Sequence, residues 1–193
     1  MRYMVFPLIQ EHGQWNIKDE VLSDVWNQMV AEKRAHKVFY NGYITSVFDF
    51  INFLKTGGVL PILIGNNETK KLCHIAWISD YGGGHACLHH CALGQFKRGA
   101  AQTILEYYSQ FKDPTTGCLL FETLIGITPE NNEAAIRVAK LMGFKLLSPP
   151  VPKLCNDVYT GKQVGGVISY YEYKRNGKGD KSWAAAAEAQ HTR

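Results

Sequence analysis

Within one short stretch the chain gathers most of its proton-transfer and metal-binding chemistry: His85-Ala86-Cys87-Leu88-His89-His90-Cys91. In an extended backbone alternate side chains share a face, so His85, Cys87, His89 and Cys91 point one way and His90 the other. Histidine titrates near neutrality, which makes His85 or His89 a usable general base. The plainer role, packed or surface imidazoles, is also open, and spacing does not choose between the two histidines. With Cys73 and His74 the same groups invite a zinc site. Side chains two residues apart on a strand stand about 6.6 Å apart, too far for three neighbours to converge on one ion. The Cys-x-x-Cys turns of structural zinc sites are also missing. No metal is therefore assigned, and the cysteines read as strand-core residues.

A second group of residues suits an anion. Lys97-Arg98-Gly99-Ala100-Ala101 opens an apolar-periodic segment, Ala100, Ala101, Ile104, Leu105, Tyr108 and Phe111. The first amides of a helix lack intrahelical partners and carry partial positive charge, so phosphates bind there. Small residues let a diphosphate approach the backbone, and Lys97 and Arg98 add charge beside it. An ordinary helix start packed on a sheet would look the same. Further on, Asn131 and Asn132 precede a helical pattern that either of them can cap.

The elements that position these groups follow from periodicity and punctuation. Residues 2–9 read as a strand; Asn16 then caps a helix whose apolar face is Ile17, Val21, Leu22, Val25, Met29 and Val30. Thr45 caps a second helix that stops at Gly57-Gly58. Residues 59–64, 72–79 and 85–93 are three strands joined by turns at Asn66-Asn67 and Gly82-Gly83-Gly84, short links that require antiparallel neighbours. A helix over 99–111 ends at Asp113-Pro114. A buried strand follows over 118–125, then a helix from Pro129-Glu130-Asn131 to Gly143, then strands at 144–147 and 164–173. The helix between strands 85–93 and 118–125 makes a β-α-β crossover, right-handed, with its two strands parallel. This element order predicts an α/β (α+β) fold, a mixed and mainly antiparallel sheet of about seven strands flanked by helices, in one domain over 1–174. Residues 175–193 read as a flexible tail.

Composition narrows the setting. The chain has 193 residues, 46% of them apolar, enough for one core of ordinary size. A formal charge of +4 without a block of like charge fits an anionic small ligand and disfavours nucleic acid as partner. Five cysteines is an odd number, set within apolar runs, so a reduced, cytoplasmic setting is expected. No run approaches the roughly 18 apolar residues of a membrane span.

At these positions the chain resembles the GNAT superfamily of acyl-CoA-dependent N-acetyltransferases. Gly99 and Ala101 match the small positions of that family's phosphate loop and Ile104 the aliphatic that follows; Phe96 stands where Gln or a basic residue is usual. Asn132-Glu133-Ala134-Ala135 through Gly143-Phe144 looks like the family's Asn-x-x-Ala to Gly-Phe helix. The phrase 126–132 is similar to that of small GNAT proteins carried by bacteriophages. The resemblance implies acetyl-CoA as co-substrate, with its diphosphate on Lys97, Arg98, Gly99, Ala100 and Ala101. It implies that the pantetheine arm lies like an added strand along the backbone of Cys91, Ala92 and Leu93, and that Asn132 touches the arm. His85 falls where some relatives carry a strand glutamate as base. The family's tyrosine acid, seven residues after the Asn, is replaced by Ala139; Tyr107, Tyr108, Tyr171 and Tyr173 are substitutes. The implied activity is acetyl transfer to an unidentified primary amine of a small molecule or protein. The alternative is an acyl-CoA-binding or assembly protein that retains the fold without turnover; a homodimer is compatible with either.

Overall fold

The computed structural model describes residues 2–56, 58–158 and 160–173. The expected tail, with Lys174 before it, and the Gly57 half of the expected helix stop lie outside the described residues. Strand β1 (Tyr3–Pro7) is followed by a small hairpin, β2 (Gln10–Glu11) and β3 (Gln14–Trp15). Three helices come next: α1 (Asp19–Ala31), α2 (Ala35–Val38) and α3 (Val47–Lys55). The meander is β4 (Leu60–Asn66), β5 (Leu72–Gly82) and β6 (His85–Ala92). Then follow α4 (Arg98–Tyr108), β7 (Thr123–Pro129) and α5 (Glu133–Leu141). The chain closes with β8 (Lys145–Leu146), β9 (Val151–Asp157) and β10 (Lys162–Glu172).

The main sheet has eight strands, ordered β1-β4-β5-β6-β7-β10-β8, with β9 also pairing to β10. Every pairing in it is antiparallel except that of β6 with β7, which is parallel across the α4 crossover. Its two faces bury separate cores. On one, α4 and the end of α5 bury Ala100, Ile104, Tyr108 and Met142 against Ile62, Ala76, Ala86 and Leu88. On the other, α1 to α3 bury Leu22, Met29, Phe39 and Phe50 against Leu63, Ile75, Trp77 and Cys91. Among the described residues no helix is long and apolar enough to cross a membrane.

Several local expectations change. Asn16 does not cap α1, whose N-cap is Lys18 without a side-chain cap bond. Instead Asn16 accepts from the Ile9 amide at 3.0 Å and donates to the Pro7 carbonyl at 2.8 Å, closing the small hairpin. Ser46, not Thr45, caps α3, in a reciprocal box with Asp49. Residues 118–122 do not form the expected strand; β7 begins only at Thr123, where β6 and β10 both offer backbone partners. Strand β9 is the eighth, unexpected one. Only Cys155 in it is buried, so it carries no apolar alternation to betray it.

Candidate functional site

Strand β6 is paired with β5 along its length, from Gly82↔His85 to His74↔Ala92. Its contact with β7 is brief: His85↔Thr123, Ala86↔Leu124 and Cys87↔Ile125. Past that point β7 stays with β10 as far as Gly166↔Pro129, and the two parallel strands part. The parting opens a cavity of about 430 Å³ lined by Leu88 to Ala92 of β6, Gly126 to Pro129 of β7, the inner face of α5, and Arg34, Lys37 and Tyr40.

The register decides which backbone groups face this gap. Leu93 donates its amide to the Cys73 carbonyl at 2.8 Å. That makes Leu93↔Cys73 a hydrogen-bonded pair, and by alternation Cys91↔Ile75 another. The amides and carbonyls of His90 and Ala92 therefore turn away from β5, toward the gap. Of the three residues expected to offer backbone contacts, only Ala92 does so; those of Cys91 and Leu93 are spent on β5, and His90 joins Ala92 instead. The alternation of strand hydrogen bonding carries this signal, but its phase needs the partner strand.

A clamp from the α1–α2 junction holds the loop that follows. Arg34 donates to the Ala92 carbonyl at 2.5 Å and the Gly94 carbonyl at 2.6 Å, and Glu32 accepts the Gly94 amide at 2.9 Å. Arg34 Nε and Glu32 pair at 2.9 Å. Burial pushes the Glu32 pKa up, but bonds from Gln28 and the Gly94 amide, with the Arg34 charge, outweigh it and hold the carboxyl low. Gly94 itself sits at φ +77°, a conformation other residues adopt at a cost.

The start of α4 lies just beyond. Lys97 is its N-cap, and Lys97, Arg98 and Gly99 are exposed. Ala100 and Ala101 are fully buried on the sheet, so their small size serves helix–sheet packing. Gly99 is small because a Cβ there would lie 2.9 Å from the Tyr3 ring. Both reasons are structural; the helix start remains open to an anion beside them.

The histidines separate. His85 is exposed at the far end of β6, paired with Thr123 and outside the cavity lining. His89 lines the cavity, stacked on Trp77 with centroids 5.2 Å apart. Ser79 donates its hydroxyl to Asp80 at 2.8 Å and lies 3.0 Å from His89 Nε2, so Nε2 carries the proton and Nδ1 keeps a free lone pair. Burial lowers the His89 pKa, with Asp80 opposing, so the neutral imidazole prevails at pH 7. His90, on the other face, bonds His74 Nδ1 through its Nε2. His74 Nε2 accepts the Lys97 amide at 3.4 Å, which assigns the His74 proton to Nδ1. Burial, helped by Arg34, drives His74 down to about 4, and burial, His74 and Arg34 drive His90 well below its ordinary value. This neutral pair ties the α4 N-cap to the strand floor. Among the described residues no three His, Cys, Asp or Glu side chains are grouped to hold a metal.

Asn132 lines the cavity and caps α5, accepting the Ala135 amide at 3.3 Å. Ala139 also lines the wall, so that position offers no hydroxyl. The expected substitutes are engaged elsewhere: Tyr108 donates to Leu60 O and Tyr173 to Leu105 O, each at 2.7 Å, while Tyr107 and Tyr171 pack on the α4-side core. Among the described residues the tyrosine in the lining is Tyr40, which sequence periodicity did not single out because it stands in a short irregular link. Burial, and then the Cys155 thiol to which it hydrogen-bonds, raises its pKa and keeps the hydroxyl protonated.

No family model and no curated protein matches the chain in sequence. Solved structures do match in shape. An acetyltransferase from Salmonella typhimurium that modifies the N-terminal serine of ribosomal protein L7/L12 aligns with TM-score 0.64 at 10% identity, covering 90% of this chain and 96% of that one. Spermidine N-acetyltransferase from Vibrio cholerae, in complex with CoA and spermine, gives 0.58 at 11%, covering 87% and 95%. The microcin C7 self-immunity acetyltransferase, in complex with acetyl-CoA and AMP, gives 0.58 at 10%, covering 89% and 93%. At such identities the likeness is one of fold: a large, mostly antiparallel sheet flanked by helices, as in GNAT-type acetyltransferases.

Proposed function

We propose that the protein transfers an acetyl group from acetyl-CoA to a primary amine of a small molecule or protein. The observation that carries this is the parting of β6 from β7, which leaves the His90 backbone groups and the Ala92 amide facing a cavity beside the open start of α4, the Ala92 carbonyl being held by Arg34. A pantetheine arm would add to that edge as an extra strand does. Its diphosphate would rest on the first amides of α4, with Lys97 and Arg98 alongside and Asn132 against the arm.

His89 is the base in this reading. Its Nδ1 takes the proton of the acceptor ammonium, directly or through a water, while Ser79 and Asp80 steady the ring and the charge it gains. The amine nitrogen then attacks the thioester carbonyl, and a strand amide facing the gap stabilises the oxyanion. The C–S bond breaks, and the nitrogen's second proton passes through water to Tyr40 as Tyr40 gives its own to the departing thiolate, leaving the neutral amide and the CoA thiol. A second reading, an acyl-CoA-binding or interaction protein without turnover, is favoured by Ala139 in the cavity wall. Calorimetry with acetyl-CoA tests binding. Release of CoA thiol, followed with DTNB across an amine panel, tests turnover. Saturable affinity for acetyl-CoA with no thiol release would select the second reading, and no affinity would remove both.

A further inference from the structure

The cavity wall on the α1–α3 side is basic. Glu32, Lys33, Arg34 and Lys37 line it, and Glu32 and Arg34 neutralise each other. Lys33 and Lys37 are exposed, and among the described residues neither forms an ion pair. Among the described residues no other carboxylate lines the cavity. Lys33 also sits at φ +55°, in the left-handed region where glycine or asparagine is free of strain. The Arg34 amide on the Met29 carbonyl at 2.8 Å and the Lys33 amide on the Val30 carbonyl at 2.9 Å make it the left-handed residue that ends α1.

These lysines are not the diphosphate's partners in the proposed mode. Lys97 and Arg98 open α4, which packs on the opposite face of the sheet from α1 and α2. Lys33 and Lys37 stand on the face toward which His89 projects, where the acceptor would arrive. Resting on the acetyl-transfer reading above, we infer that the acceptor is a primary amine bearing a carboxylate or phosphate a few bonds away, held by Lys33 and Lys37. The lysines would attract that anion and repel a polycation. Their charge also disfavours the acceptor's ammonium form, so proton removal by His89 becomes easier.

The test is an acceptor comparison at saturating acetyl-CoA, following thiol release with DTNB. L-glutamate, O-phosphoethanolamine and the peptide Ala-Glu-Glu are set against ethanolamine and spermidine. The anionic amines should exceed the other two by about tenfold in kcat/KM, a difference worth about 1.4 kcal/mol. The three anionic arms distinguish a carboxylate, a phosphate and a peptide source. In Lys33→Glu/Lys37→Glu the order should invert, while calorimetric affinity for CoA stays within about twofold because its site lies on the other face. Lys33→Asn, tolerated by the left-handed backbone, repeats the loss of preference if the double variant fails to fold. Preference for spermidine, an order unmoved by either variant, or neither turnover nor calorimetric binding of any anionic amine by CoA-loaded protein would overturn the inference. Absence of CoA binding itself would instead overturn the acetyl-transfer reading.

Discussion

A histidine four positions from another on one strand can have a wholly different surrounding. His85 ends in solvent, whereas His89 is stacked on Trp77 with Nε2 held by Ser79 and Nδ1 left basic. His89→Ala should therefore lower kcat by about 10²–10⁴ with little change in CoA affinity, and His85→Ala should leave kcat near wild type. Because burial depresses the His89 pKa, the base-competent form persists below the ordinary imidazole range. The acid limb of kcat/KM assigned to His89 should accordingly fall below pH 6.5, and a limb above that value would speak against it. Tyr40→Phe removes the hydroxyl bonded to Cys155 on a side chain that lines the cavity. Slower thiol release with unchanged CoA binding is expected; an unchanged rate would assign the proton to water.

At the scale of elements, the loop between β6 and α4 is held from both sides of the sheet. Arg34 and Glu32 grip Ala92 and Gly94 from one side, and His74 holds the Lys97 amide from the other. Arg34→Ala strands two carbonyls and the Glu32 carboxylate, a loss of about 1–3 kcal/mol measurable by urea unfolding. Gly99→Ala drives a methyl toward the Tyr3 ring at 2.9 Å and should cost about 1 kcal/mol. In a Tyr3→Ala background that penalty should shrink, since the nearest neighbour is gone; full persistence would mean the backbone, not packing against Tyr3, requires glycine. Neither contact was readable from sequence, because Tyr3 and Gly99 meet only when β1 is laid at the sheet edge beside α4.

For the molecule as a whole, two neutral histidines of the sheet, His74 buried and His90 half-buried, make stability depend on pH. The folded pKa of His74 lies near 4, below its ordinary 6.5. The unfolded chain thus binds more protons across that interval, and stability falls as pH drops through it. The loss from His74 alone is on the order of 3 kcal/mol, and His90 adds in the same direction. Urea midpoints should decline from pH 7 to pH 4 in wild type and flatten in His74→Gln; parallel slopes would contradict the assignment.

The order of helices and strands, the three-strand meander and the parallel crossover were legible in the sequence, because each rests on local periodicity and turn chemistry. The same holds for an asparagine cap before α5, although the choice of Asn132 over Asn131 came from the structure. Strand β9 was not legible, since an exposed edge strand has no buried face to alternate. Nor was the true cap of α1, since Asn16 found a better use in closing the hairpin. Which backbone groups face the cavity, which of the two candidate bases His85 and His89 reaches it, and that Tyr40 and two lysines join it were decided only by tertiary structure. Hydrogen-bond phase and side-chain convergence are properties of paired strands and of links folded over them, and no single segment carries either.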